Sequence, residues 1–183
     1  MASPKPKVVL KRSPEASRRE CPARASSKRS SAWTGPELND LQTNCIEDLA
    51  IGMESFYERE VTERDIQLFA EVSGDHNPVH MDEAYAAGTF FRGRIAHGIL
   101  SASFISTVLG TQMPGPGSIY VSQTLNFLAP VRIGDHVRAS VTIVDIDLSR
   151  ARVKFNCVCE VGGKPVVKGE AVVFVPSRGS ARD

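Results

Sequence analysis

The chain has 183 residues, of which 42% are hydrophobic, and this size and composition suit one domain with an apolar core. Residues 1–35 hold nine Lys and Arg against two Glu, whereas residues 36–183 hold thirteen against nineteen acidic residues, so the net charge of +1 conceals a basic start and an acidic body. The acidic body argues against nucleic acid as a partner, and the lack of a long apolar run argues against a membrane.

The start of the chain differs in composition from the rest. Residues 1–36 are rich in Ser, Arg, Lys and Pro without a sustained apolar period, which predicts a disordered basic tail. A targeting segment is one alternative, because mitochondrial transit peptides are rich in Arg and Ser and poor in acids, and an overlong start is another. We therefore expect a cytoplasmic protein, or a mitochondrial one if the tail is a transit peptide. We expect a linker over 37–53, a folded domain over 54–176 and a disordered C-terminus over 177–183.

The folded region begins with a strand and a helix. Alternation in SFYEREV predicts a strand, and Thr62 is a suitable N-cap for a helix with an acidic first turn. Ile66, Phe69 and Ala70 give this helix an apolar inner face. A short helical turn is expected further on, over Glu83–Ala87, ended by a glycine.

A second, longer helix is predicted in RIAHGILSASFISTVLG, where His97 and Gly98 open it and the apolar composition extends from Ile95 to Leu109. Apolar and small residues occur on every side of it, and a helix without a polar face is expected to be buried all round. The run MPGPG then ends the helix.

The remainder of the chain predicts strands. Four runs are rich in β-branched residues and are separated by short turns: SIYVSQTLNFLAP, DHVRASVTIVDIDL, RARVKFNCVCEV and KPVVKGEAVVFVP. Consecutive strands with short connections predict an antiparallel meander, with the strand at 54–61 as a fifth member. Cys157 and Cys159 share one face of a strand and are interpreted as inert core residues. One sheet and one apolar helix predict an α+β fold in which the sheet wraps around the helix.

The run SGDHNPVH gathers an acid, an amide, a proline and an imidazole within eight residues. Pro78 argues against a regular helix, so the segment is expected to form a turn that brings Asp75 back towards His80, braced by Asn77. A carboxylate and an imidazole within reach of one water make a proton-transfer pair. Ordinary turn chemistry, with His80 as a capping or surface residue, is the alternative interpretation.

A second group of candidates lies at the start of the long helix. The amide of Gly98 is expected to be an unpaired donor at a helix N-terminus, where it could stabilise an oxyanion. Ser106 lies about two turns further on, on roughly the same side; a buried hydroxyl bonded to the helix backbone is its alternative role. His97 is expected to shape the turn into the helix.

Three runs, VSGDHNPVHMDEAYAAGTFFRG, RIAHGILSASFISTVLG and MPGPGSIYVSQTLNFLAPVRIGD, together resemble the MaoC-like family of hot-dog-fold proteins, and most closely its R-specific enoyl-CoA hydratases. The resemblance covers about residues 54–176. It implies a hot-dog fold, an antiparallel sheet wrapped around a long central helix. It also implies a homodimer or a dimer of dimers, with the acyl-thioester tunnel close to the dimer interface.

The resemblance also implies roles for individual residues. Asp75 and His80 match the pair that holds the catalytic water in this family, and Asn77 matches the third polar member of the motif. Gly98 matches the backbone oxyanion donor, and Ser106 matches a serine near the active site of the bacterial enzymes.

The implied activity is the reversible hydration of trans-2-enoyl-CoA to (R)-3-hydroxyacyl-CoA by an Asp/His-activated water, with no cofactor and no metal. Dehydration of a 3-hydroxyacyl group on acyl carrier protein (ACP) is an alternative, and a non-catalytic acyl-thioester-binding module is an alternative from another class. Arg92, Arg94 and Arg132 are candidates, by charge alone, for contacts with the CoA phosphates.

Overall fold

The computed structural model describes residues 43–179. The predicted basic tail and its targeting alternative, the first part of the expected linker at 37–42 and the last four residues, 180–183, lie outside the described residues. Within residues 43–179, none of the helices is long and apolar enough to cross a membrane.

One antiparallel sheet forms most of the domain. Its strands are β1 (Glu54–Glu60), β2 (Ile119–Gln123), β3 (Asn126–Phe127), β4 (His136–Asp147), β5 (Arg152–Val161) and β6 (Lys164–Phe174). The order across the sheet is β1-β4-β5-β6-β2, and β3 also pairs with β6. The single antiparallel sheet is therefore confirmed.

The simple meander is wrong at its first strand. A meander would pair the first predicted run with the second, DHVRASVTIVDIDL. Instead, β2 pairs with β6, and the second run, which forms β4, pairs with β1. The segment 128–135 carries the chain from one side of the sheet to the other, and the amide of Gly134 donates to the carbonyl of Val61 at 2.8 Å beside β1. Long-range pairing with β1 thus determines the position of β4.

In the described part of the chain, four α-helices lie between β1 and β2. They are α1 (Glu63–Ser73), α2 (Pro78–Met81), α3 (Glu83–Ala87) and α4 (Gly98–Thr111). Helix α4 packs against β4, β1 and β5. Its buried side chains are Leu100, Ser101, Phe104, Ile105, Val108 and Leu109. They meet the inward residues of the sheet, among them Val137, Ala139, Val141, Phe155 and Cys157. The predicted sheet around a central helix is confirmed.

The expectation that α4 is buried all round is wrong for the single chain. Ile99, Ser103, Ser106 and Gly110 recur at helical spacing, and all four are exposed. The sheet covers one side of the helix, and the described residues leave this opposite face open.

The two cysteines of β5 are core residues, as predicted. Cys157 and Cys159 are fully buried and free. Burial raises the pKa of each thiol to about 12, so both stay protonated at neutral pH and neither is a thiolate nucleophile.

The described residues before β1 pack into the domain and do not form a linker. Cys45 and Ile46 are buried at the start of a 3-10 helix, Ile46–Asp48, and the amide of Ile46 donates to the carbonyl of Pro176 at 3.0 Å. Ser177 donates to Glu47 at 2.6 Å, and Arg178 pairs with Asp48. Residues 43–53 and 177–179 therefore extend the domain beyond its predicted bounds, because long-range contacts join the two ends.

Candidate active site

Helix α1 positions the segment that carries Asp75. Its N-cap is Thr62, as predicted: the Thr62 hydroxyl accepts from the amide of Asp65, and the Asp65 carboxylate accepts from the amide of Thr62 at 2.8 Å. Ile66 and Ala70 are buried and fix the helix against the core. The helix ends at Gly74, whose φ of 76° is the left-handed conformation that glycine favours at helix C-termini. This reversal directs the chain into the segment that carries Asp75.

Helix α2 carries His80. The side-chain oxygen of Asn77 accepts from the amide of Val79 at 3.2 Å, so Asn77 is the N-cap of a one-turn helix, Pro78–Met81. The expectation that Pro78 prevents a helix here is wrong. Proline is favoured in the first turn of a helix, where its missing N–H would have no intrahelical partner. His80 lies inside this turn and Asp75 lies before it, so a helix boundary separates the two residues.

Three side chains converge at this boundary. A carboxylate oxygen of Asp75 and ring nitrogens of His80 and His97 all lie within 4.8 Å of one another. Asp75 is exposed, whereas His80 and His97 are buried. Two polar atoms at such a separation can hydrogen-bond to a single water between them. The predicted proximity of Asp75 and His80 is therefore observed, and His97 joins them.

The protonation of the His80 ring follows from its contacts. Nδ1 lies 2.9 Å from the carbonyl oxygen of Ile95, and because a carbonyl can only accept, Nδ1 is the donor. The neutral ring then carries a lone pair at Nε2. Burial lowers the pKa of His80; the bond to Ile95 and the charge of Asp75 oppose this effect, and His97 adds to it. His80 is accordingly neutral at pH 7 and can accept a proton at Nε2.

Two of the three arginines proposed for phosphate contacts are engaged within the protein. Nε of Arg94 donates to the carbonyl of His80 at 2.7 Å, and its terminal nitrogen pairs with Glu63 at 2.9 Å. Arg132 donates to the carbonyls of Arg94 and Phe91. Arg94 therefore holds His80 in position, and Arg132 holds Arg94. The side chain of Arg92 is exposed and has no hydrogen bond among the described residues, so its phosphate contact stays a prediction.

The N-terminus of α4 lies next to this cluster. Gly98 is the first residue of the helix, directly after His97, and its amide has no hydrogen-bond acceptor among the described residues. The ring of Phe127 covers the glycine: a Cβ added at Gly98 would lie 2.7 Å from a ring carbon. The predicted free donor is present. Any residue larger than glycine at this position would require Phe127 to move.

Ser106 lies on the exposed face of α4, so its alternative as a buried hydroxyl is wrong. Among residues 43–179, no hydrogen bond connects Ser106 to Asp75 or His80. The structure thus brings Asp75, Asn77, His80 and the start of α4 together, and the role of Ser106 stays a prediction.

The types of side chain in the cluster also suit a divalent metal ion. However, one ring nitrogen of each histidine already donates to a carbonyl oxygen, His80 to Ile95 and His97 to Asp75. Proton transfer to and from a water needs only the groups that are present. The arrangement therefore suits general acid–base chemistry beside an oxyanion donor.

Several contacts of the site are not predicted by the sequence. The carbonyl of Ile95, the guanidinium of Arg94 and the imidazole of His97 all contact Asp75 or His80 from 14 to 22 residues away. The sequence marked Arg94 only by its charge and His97 only as a turn residue, and it did not predict their contacts with Asp75 and His80. Phe127 carries no signal at all in the sequence.

The model of the MaoC-like domain family matches residues 50–161 of this chain. An (R)-specific enoyl-CoA hydratase of Rhodospirillum rubrum is 51% identical over 141 residues, which cover 77% of this chain and 98% of that protein. A 3-hydroxybutyryl-CoA dehydratase of Methylorubrum extorquens is 46% identical over 144 residues, which cover 79% of this chain and 92% of that protein.

Among solved structures, R-hydratase PhaJ1 of Pseudomonas aeruginosa has a TM-score of 0.71 and 44% identity, and covers 75% of this chain and 88% of its own. A more distant relative, a mitochondrial 3-hydroxyacyl-[acyl-carrier-protein] dehydratase of Arabidopsis thaliana, is 34% identical and covers 65% of this chain and 73% of that protein. The family match, the identities and the fold agree with one another, and this chain belongs to the MaoC-like family of hot-dog-fold proteins.

Proposed function

We propose that this protein is a hydro-lyase that catalyses the reversible hydration of trans-2-enoyl-CoA to (R)-3-hydroxyacyl-CoA. The observation that carries the proposal is the proximity of the Asp75 carboxylate and the His80 ring, within 4.8 Å, beside a helix N-terminus with a free Gly98 amide. Relatives named as (R)-specific enoyl-CoA hydratase and 3-hydroxybutyryl-CoA dehydratase support the same reaction, written in its two directions.

In the hydration direction, Asp75 accepts a proton from a water that also hydrogen-bonds to Nε2 of His80, and the water oxygen attacks C3. The electron pair of the double bond moves towards the thioester carbonyl, whose oxygen gains negative charge beside the Gly98 amide. The proton held by the pair then goes to C2, with His80 assisting its delivery. Because neutral His80 has only a lone pair at Nε2, it delivers a proton only after it has taken one from within the pair.

This reaction needs no redox group and no metal, because one water is added across one double bond and the proton lost by the water is gained by C2. The CoA thioester is the substrate and not a cofactor. The site residues that the chain supplies are a base, an acid and an oxyanion donor, which together suffice for the chemistry.

The carrier of the acyl group is CoA in this proposal. The relatives named for CoA substrates are 51% and 46% identical to this chain, whereas the one named for acyl carrier protein is 34% identical. Dehydration on acyl carrier protein is the second candidate, because both carriers present the same thioester. Turnover measured with the same acyl group on the two carriers separates these possibilities.

The working form in this proposal is a homodimer. The edge strand β2 exposes three apolar side chains, Ile119, Tyr120 and Val121, and the open face of α4 exposes Ile99. The opposite edge, β1, carries four charged residues, and charged edges are the ones that avoid pairing. An exposed apolar edge beside an uncovered helix face is typical of an interface between subunits.

The catalytic roles are tested with Asp75→Asn and His80→Gln. Asp75→Asn keeps the shape of its side chain, and His80→Gln replaces the imidazole by an uncharged amide; each removes proton transfer and is expected to lower kcat by about 10² or more. The assay follows hydration of a ladder of trans-2-enoyl-CoA chain lengths, with chiral analysis of the product.

Folding is checked by circular dichroism, and His136→Gln on the exposed start of β4 is the matched control. Near-normal turnover in both folded variants contradicts the assignment of the site. An (S) product from the unsubstituted protein contradicts the proposed stereochemistry. Thioester binding without any turnover indicates the non-catalytic module.

A further inference from the structure

His97 has contacts beyond the turn into α4. It is 2% exposed, its Nε2 lies 2.9 Å from the backbone carbonyl of Asp75, and its ring packs on the ring of His80 with centroids 3.9 Å apart and planes inclined at 34°. Phe69 of α1 holds the imidazole from another side, with ring centroids 5.0 Å apart. Both members of the proton-transfer pair therefore contact the same buried side chain.

The bond to Asp75 is unusual for its segment. Residues 74–77 are exposed, and their other hydrogen bonds join residues within four positions along the chain, such as the amide of Asn77 to the Asp75 carboxylate at 3.2 Å. Among the described residues, the bond from His97 is the one that reaches this segment from a distant part of the sequence, 22 residues away. It therefore limits how far the Asp75 backbone can move relative to the core.

The tautomer of His97 follows from the same bond. A carbonyl oxygen can only accept, so Nε2 of His97 carries a proton. Its other nitrogen, Nδ1, is buried and has no hydrogen-bond partner, and the hydroxyl of Ser101 is also buried and without a partner. His97 precedes the first helical residue, and no hydrogen bond joins its Nδ1 to Ser101. The bond to the Asp75 carbonyl is therefore the contact that assigns the proton to Nε2.

We propose that His97 is a positioning residue for the hydration reaction. Its Nε2–H fixes the backbone of Asp75, and its ring fixes the plane of the His80 imidazole. The proposal rests on the proposed function, since it concerns the pair that shares the water. Misplacement of a catalytic group by about 1 Å can cost a factor of about 10² in rate, so a buried tether of this kind has a measurable effect.

The test compares two substitutions that separate the contacts of His97. His97→Phe keeps an aromatic ring against His80 but removes the donor to Asp75, whereas the amide nitrogen of His97→Gln can still donate. We expect His97→Phe to lower kcat with trans-2-butenoyl-CoA by about tenfold to hundredfold, with KM within about twofold, and His97→Gln to recover part of this loss. Ser140→Ala in β4 and His136→Gln are the controls and keep normal turnover.

A purely structural role predicts a different pattern, in which His97→Phe and His97→Gln lose activity only in proportion to a lower Tm. That pattern, or a folded His97→Phe variant with kcat within twofold of the unsubstituted protein, overturns the proposal. Asp75→Asn and His80→Gln are measured in the same assay. If these two are inactive while His97→Phe is normal, only the positioning role fails; if these two are active, the proposed site fails.

A measurement on the unsubstituted protein does not depend on the folding of any variant. Long-range ¹H–¹⁵N correlation spectra of the ¹⁵N-labelled full chain report which ring nitrogen of a histidine carries the proton. We expect an Nε2-protonated ring for His97, assigned by the loss of its signals in His97→Gln. A ring protonated at Nδ1 alone overturns the proposal, because it cannot donate to the Asp75 carbonyl.

Discussion

At the scale of single residues, the environment of His80 determines what it can do. Its Nδ1 donates to the carbonyl of Ile95, its backbone carbonyl accepts from Arg94, and its ring contacts His97. Nε2 is left as the ring nitrogen without a hydrogen bond among the described residues. A buried ring with one nitrogen fixed in this way keeps one orientation and one neutral tautomer.

The first prediction at this scale concerns pH. Burial lowers the pKa of His80 below its usual value of 6.5, so the ring stays neutral to a lower pH than an exposed histidine. If neutral His80 must accept a hydrogen bond from the water, kcat/KM falls towards acid pH as the ring becomes protonated, with the midpoint of the acid limb below pH 6.5. The pH–rate profile between pH 4.5 and 8 measures this. An acid limb centred above pH 6.5 contradicts the proposed state of His80.

The second prediction concerns Arg94. Arg94→Lys keeps a positive charge for Glu63 but removes the Nε donor to the carbonyl of His80. We expect kcat to fall by about tenfold while KM changes little, because the substitution misplaces His80 and removes no substrate contact. Steady-state kinetics on the purified variant give both constants. A large rise in KM with unchanged kcat would instead indicate a contact between Arg94 and the CoA phosphates.

At the scale of elements, the N-terminus of α4 combines three requirements. The helix must begin at Gly98 to leave its amide free, His97 must precede it to reach Asp75, and Leu100 must follow it to enter the core. The helix dipole adds partial positive charge at the same point. In the proposed function, one helix start therefore supplies the oxyanion donor and also anchors the segment that carries the base.

The prediction for this element is a pair of substitutions. Gly98→Ala adds a methyl group at a point 2.7 Å from the ring of Phe127, so the ring or the helix start must move. We expect kcat to fall by about tenfold or more, because the amide is displaced from the carbonyl oxygen that it stabilises. Combining Gly98→Ala with Phe127→Val removes the collision and is expected to restore part of the rate. If the double variant is as slow as Gly98→Ala alone, the ring is not the cause.

At the scale of the whole molecule, the single chain has two unequal sheet edges. The charged residues of the edge strand β1 disfavour pairing with another strand. The edge strand β2 and the open face of α4 instead expose apolar side chains. The sheet covers the other face of α4, so a second subunit on this open side would complete the burial of the central helix. The all-round apolar composition of the helix is then consistent with the proposed dimer.

The prediction for the whole molecule is that Val121→Asp weakens dimerisation. Val121 is 49% exposed on β2, and a charge there would be buried without a partner at the proposed interface. Sedimentation equilibrium is expected to give about twice 19.9 kDa for the unsubstituted chain and a concentration-dependent mixture for the variant. Leu148→Asp, exposed in the turn after β4, is the control and is expected to stay dimeric. A monomeric unsubstituted chain contradicts the proposed assembly.

The sequence by itself determined the features that depend on neighbouring residues. The Thr62 cap, the end of α3 at Gly88, the start of α4 at Gly98 and the β-branched strands were all predicted, because hydrogen bonds and side-chain periodicity within a few residues decide them. Pro78 is a local error, because it begins a helix where it was expected to prevent one. The run SIYVSQTLNFLAP is another, because it forms two strands, β2 and β3, and not one. The resemblance of the motifs to one family also gave the fold and the activity.

Only the tertiary structure decided the features that join distant parts of the chain. The pairing of β2 with β6, the open face of α4, the packing of residues 43–53 and the bonds from Arg94 and His97 to the catalytic pair all involve residues far apart in sequence. The physical reason is that a residue's type specifies which bonds it can make, whereas the folded backbone decides which partner is within reach. For His97 the type suggested a turn residue, and its position next to Asp75 and His80 assigns it to the site.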